Sequence, residues 1–167
     1  MTRTNKLITA AVATAVAAVA VPMAALASDG PASLRTHSKV IHVVEHALTD
    51  TVQQFHPPAD SVGDVLGFHN PVYNSANTAQ IATDNGYCVH TVVSGKTEWE
   101  CNITIMLAAG NITVEGEFFD DGTDSTFAIT GGTRKYADVA GTMLLHATGD
   151  PVGTEFDFTF TITNDDR

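Results

Sequence analysis

The sequence predicts an all-β domain made of many short antiparallel strands. Three features of its 167 residues predict this. Beyond an alanine-rich leader, apolar and polar residues alternate with period two, as on strands buried on one face. Turn residues (Gly, Pro, Asn, Asp) interrupt these runs at short intervals. No apolar repeat of helical period persists outside the leader. Periodicity alone leaves two architectures open, a sandwich and a closed barrel.

The leader comes first in chain order. Arg3 and Lys6 form a positive n-region, residues 7–24 are apolar and uncharged, and Ala25-Leu26-Ala27 has the A-x-A cleavage pattern. Residues 1–27 are therefore expected to be a signal peptide, with Ser28 as the first mature residue and the protein secreted. A membrane anchor fits less well, because the apolar stretch is rich in small residues and interrupted by Pro22. No later run is long enough to span a bilayer, so no membrane contact is expected after cleavage.

Residues 28–38 read as a flexible polar lead-in and 39–167 as a single domain. The first strand is expected over 39–48, followed by a loop marked by Pro57-Pro58 and Asp60-Ser61. Further strands are expected over 62–68, 78–83 and 87–93, with Asp84-Asn85-Gly86 turning between the last two. The runs 98–107 and 112–119 flank Ala108-Ala109-Gly110-Asn111. Strands over 125–130, 139–147 and 155–163 complete the set.

Acidic residues outnumber basic ones 19 to 8, for a formal charge of −11. Loss of Arg3 and Lys6 with the leader makes the mature chain more acidic still. Such a surface repels nucleic acid and anionic membrane, and it keeps an exported protein soluble.

The two cysteines fall on one expected hairpin. With Ser94-Gly95 as its turn, pairing outward sets Cys88 opposite Cys101, in the kind of pair whose Cα atoms approach most closely. In an oxidising compartment this predicts a Cys88–Cys101 disulfide.

Glu45 is the first candidate for chemistry. Ile41, Val43, Glu45 and Ala47 share one face of the first strand, apolar except for the glutamate. Turned inward, that carboxyl would be desolvated and able to hold or exchange a proton. The opposite register, with Val40, Val44 and Leu48 inward, would leave it in water. Asp64, Leu66, Phe68 and Asn70 likewise share a face, making Asp64, Phe68 and Asn70 candidate ligand-binding residues. A structural role remains open for Asp64, in a turn, and for Asn70, before Pro71.

Other constellations are weaker. His42 and His46 share a strand face but lie too far apart to form a metal site alone, so no metal is expected. The acidic turn 120–124 lacks the spacing of a calcium loop. Asn102-Ile103-Thr104 and Asn111-Ile112-Thr113 match the glycosylation pattern. No nucleophile elbow or phosphate loop is present.

Residues 110–145 closely resemble the signature segment of allene oxide cyclases and dirigent proteins, through Gly116, Phe118, Ala128, Ile129, Gly131, Gly132, Tyr136 and Gly141. The stretch 63–73, GDVLGFHNPVY, looks like a second segment of the cyclases. The resemblance selects the barrel, with eight antiparallel strands, and implies a homotrimer. By the same resemblance Glu45 matches the first-strand glutamate of the cyclases, Asn70 an asparagine that holds a cavity water, and Cys88 a cavity cysteine. Gly131, Gly132, Tyr136 and Gly141 are expected to be structural, the two glycines adopting backbone angles closed to other residues in a bend under which Tyr136 packs. The chain also departs from the pattern: Ala47 stands where the cyclases have an asparagine, and Ala137 where dirigent proteins have an arginine.

The resemblance implies a secreted barrel that binds a small hydrophobic molecule. One reading is an isomerase or cyclase without cofactor, or a dirigent-like stereocontrol protein. The other is a non-catalytic extracellular carrier, which the missing polar residues favour. Burial of Glu45 discriminates between them.

Overall fold

The computed structural model describes residues 37–164, and the expected leader and most of the lead-in lie outside them. The chain forms β1 (His37–His46), β2 (Thr51–Gln53), β3 (Val65–Asn74), β4 (Gln80–Val92), β5 (Glu98–Leu107), β6 (Gly110–Phe119), β7 (Ser125–Gly132), β8 (Ala140–Thr148) and β9 (Glu155–Asn164). The hydrogen-bonded order runs β1-β9-β8-β7-β6-β5-β4-β3, and β1 pairs back onto β3. Eight antiparallel strands thus close into a barrel, with short β2 added outside β3. Pairing of β1 with β3 over Val43–Glu45 joins the two ends of the sheet.

The alternation read from the sequence sets the inside of the barrel. Val43 and Glu45 of β1 are buried while Val40 is 62 % exposed, so the inward register is the one adopted. Phe127, Phe158, Phe160, Ile105, Ile112, Val114 and Met143 are fully buried and fill the interior. Each such side chain contributes roughly 1.5–3 kcal/mol on removal from water. At one end, the 3-10 turn Arg134–Tyr136 after β7 brings Tyr136 and Val139 into this core. The loops 47–50, 120–124 and 149–154 gather at the other end.

Several boundaries differ from expectation. β1 begins at His37 and ends at His46, so the lead-in reaches two residues less far than expected. β2 has no counterpart among the expected strands. Asp84-Asn85-Gly86 is not a turn, because β4 runs unbroken from Gln80 to Val92. Gly86 is needed there for space rather than bending: a Cβ would strike the ring of Phe68, which lies across it from β3. The β4–β5 connection is longer than two residues, since Val92 pairs with Glu98 after an irregularity beyond His90. Deeper in the hairpin the expected register holds, with Cys88 opposite Cys101.

The bend after β7 closes for two reasons. Gly131 has φ +149°, which disfavours other residues. Gly132, contrary to expectation, does not have a left-handed φ; it is required for space, because a Cβ there would collide with the carbonyls of Asn111 and Tyr136.

Candidate functional site

The candidate site lies where the filled core ends and the barrel opens. Leu66 and Phe68 of β3, Cys88 of β4, Cys101 and Ile103 of β5, Phe118 of β6, Leu145 of β8 and Phe156 of β9 line an inner cavity. Its volume is about 40 Å³, room for water or for the tip of a larger molecule. Glu45 and Asp50 supply its polar wall. Asp50, Leu66, Phe118 and Phe156 also belong to a second cavity of about 620 Å³ at the loop end, so the inner cavity opens into a wide mouth.

Glu45 stands opposite Phe156 on β9 and Val72 on β3, and it is 5 % exposed. Its Oε1 accepts a 2.7 Å hydrogen bond from Asn70 Nδ2. The same amide group donates to Asp50 Oδ1 at 2.7 Å. Asn70 Oδ1 accepts the backbone N–H groups of Leu48 at 3.0 Å and Thr49 at 2.9 Å, and the Thr49 hydroxyl at 3.1 Å. The backbone N–H of Asn70 donates to Asp84 Oδ1 at 3.1 Å. Asn70 thus fixes three carboxyl groups and the chain leaving β1.

Burial, reinforced by the charge of Asp84, raises the Glu45 pKa well above the usual carboxylate range, and the Asn70 bond offsets only part of this. Burial also lifts Asp84, to about 6. Both carboxyls are tied to Asn70, Glu45 through its side-chain amide and Asp84 through its backbone N–H. Asp84 Oδ2 is buried and accepts no N–H or hydroxyl donor. Glu45 and Asp84 are thus two buried carboxyls with raised pKa values, of which Glu45 faces the cavity and is suited to hold or exchange a proton there.

The other expected site residues divide. Phe68 lines the inner cavity. Asp64 does not, contrary to the ligand-binding role expected for it. Its Oδ1 accepts the Phe55 N–H at 2.8 Å and the Ser61 hydroxyl at 2.7 Å, and its Oδ2 accepts the Ser61 N–H at 2.8 Å. Those bonds, led by Phe55, lower its pKa and staple the loop between β2 and β3. Cys88 and Cys101 are joined by a disulfide with Cα atoms 4.0 Å apart. Both also line the inner cavity, so no free thiol faces it.

Asp84 was missed because aspartate, asparagine and glycine in succession spell a turn. Read as one strand, Ala82, Asp84, Gly86, Cys88 and His90 fall on a single face. Trp99 was missed too: it lines the mouth at 5 % exposure, stacked on buried His90 with centroids 4.0 Å apart. Among the described residues no cluster of three metal-ligating side chains occurs.

No family model and no curated protein matches the chain. Solved structures do. A pyocyanin demethylase is 25 % identical, with a TM-score of 0.65 over 75 % of this chain and 100 % of that one. The pterocarpan synthase dirigent protein GePTS1 shares 11 % identity and a TM-score of 0.65, over 82 % of this chain and 96 % of that one. The Diels-Alderase AbmU from Streptomyces koyangensis shares 17 % identity and a TM-score of 0.62, over 77 % of this chain but only 64 % of that longer one. The chain therefore has the dirigent and allene oxide cyclase type of β-barrel, the class that its glycine-rich segment resembles.

Proposed function

We propose that this barrel binds a small, ring-bearing hydrophobic molecule and changes it by proton transfer through Glu45, without a cofactor. The supporting observation is the buried Glu45 carboxyl on the cavity wall, held by Asn70, with its pKa raised by burial and by the charge of Asp84. A ligand in the mouth would project a basic or carbonyl oxygen or nitrogen into the inner cavity. That atom would take the proton that burial keeps on Glu45. Protonation polarises the ligand for isomerisation, ring closure or bond cleavage, while the aromatic walls fix its conformation. The negative charge of Asp84 would favour return of the proton to Glu45. The likeness to a pyocyanin demethylase makes pyocyanin the first compound to try, and the cyclase and dirigent neighbours add ring-forming precursors. Export through the leader and a homotrimer complete the proposal; N-terminal sequencing from Ser28 and light scattering check them.

The test compares wild type with Glu45→Gln, which keeps the shape and the Asn70 contact. Binding is read by quenching of Trp99, the one tryptophan of the chain. Native mass spectrometry of the exported protein supplies further ligands. Affinity should hold within about threefold while turnover falls about 10²–10⁴-fold. Unchanged turnover would remove Glu45 from the mechanism. Binding with no turnover of any ligand by wild type would leave a carrier.

A further inference from the structure

We infer that the mouth selects ligands carrying a positive charge spread over a flat aromatic system. This rests on the proposed binding of a small ring-bearing molecule and names its chemical class. The wall is made of two kinds of group: aromatic rings from Trp99, Phe118, Phe119 and Phe156, and carboxylates from Asp50, Asp120 and Asp121. No lysine or arginine belongs to it. Asp50 and Asp120 pair with no basic side chain among the described residues. Burial raises the Asp120 pKa, and the neighbouring Trp99 indole N–H offsets part of this.

The chain already shows how this surface treats a cation. The Lys96 ammonium sits 3.5 Å from the Phe119 ring centroid and 3.9 Å from Asp121 Oδ2. A ring face and a carboxylate thus hold it together. Lys96 comes from the exposed β4–β5 loop, so it can be displaced. The mouth volume of about 620 Å³ falls in the usual range for small-molecule sites and accommodates a fused three-ring system. Carboxylates on low-dielectric walls repel anions and concentrate cations, above the general pull of an acidic surface.

Three matched probes test this at mildly alkaline pH: N-methylacridinium (cation), acridine (neutral) and acridine-9-carboxylate (anion). Trp99 quenching should rank them in that order, with cation over anion by about tenfold or more at low ionic strength. Salt should shrink the ratio. Asp120→Asn with Asp121→Asn should shrink it too while leaving acridine affinity intact. Glu117→Gln, on the exposed outer face of β6, should not change it. Lys96→Met removes the competing ammonium and should tighten cation binding. Equal affinities for the three probes, a ratio unmoved by the double variant, or no quenching by any probe would each overturn the inference. Cation preference together with unchanged turnover in Glu45→Gln would instead sink the proton-transfer mechanism and leave this inference standing.

Discussion

At the residue scale, the pair Glu45 and Asp84 ties function to stability. Both have pKa values raised by burial, Asp84 to about 6 and Glu45 well above its ordinary value. A raised carboxyl pKa means that the folded state keeps a proton the unfolded state has lost. Its stabilising contribution is present below the unfolded pKa, near 4, and is lost as pH rises through the folded value. Stability should therefore decline from about pH 4 through 6 and beyond, opposite in sign to an ion-paired carboxylate. Glu45→Gln should flatten the upper part of that decline, read as the denaturation midpoint against pH. A parallel profile in the variant would mean that Glu45 titrates as a solvated carboxyl, and the proton donor would be lost with it. Asp64 runs the other way, because its three loop bonds lower its pKa and favour the folded state until the pH falls below the carboxylate range.

At the element scale, the β4–β5 hairpin joins covalent stability to the cavity. Cys88 and Cys101 lie 13 positions apart, and a link over such a loop stabilises by roughly 3 kcal/mol. Cys88→Ala with Cys101→Ala should lower stability by about that amount in denaturant unfolding, and peptide mapping of non-reduced wild type should recover the linked pair. Two free thiols in the mapped protein would refute the linkage. This hairpin also shows what was legible in the sequence. The cysteine register follows from period-two counting, which survives a wrong loop length as long as the inner pairs keep step. Glu45 was legible as the polar residue of an otherwise apolar face, and Asn70 as a polar residue beside Leu66 and Phe68. Asp84 was not, because local turn chemistry and a strand interior share the same letters here. Gly86 serves Phe68 from a neighbouring strand, and a single sequence carries no mark of that contact. Asp64 shares a face with Asn70 by alternation, yet it sits at the strand entrance, where loop N–H groups reach it first. The mouth is assembled from several elements, so its joint lining by Trp99, Asp120 and Phe156 exists only after closure.

At the scale of the whole molecule, the barrel closes at a narrow seam. β1 pairs with β9 from His37 to His46, but with β3 only from Val43 to Glu45. Beyond Glu45 the chain turns away over the mouth, and side-chain bonds replace the ladder. Asn70 makes that replacement. Its amide oxygen takes the N–H groups of Leu48 and Thr49, and its amide nitrogen holds Glu45 and Asp50. One fully buried side chain thus closes the cylinder and positions the proposed acid. Asn70→Ala strips these partners at once, leaving buried N–H and carboxyl groups unpaired at about 1–3 kcal/mol each where water does not replace Asn70. Net destabilisation of about 2–4 kcal/mol is expected, together with faster hydrogen exchange at Leu48 and Thr49. Exchange within β6 and β7, across the barrel from the seam, should follow only the global loss. Uniform acceleration throughout the barrel would show that the seam opens only with global unfolding. Unchanged exchange at Leu48 and Thr49 would show that β9 alone holds this end of β1, and that Asn70 serves the cavity rather than closure.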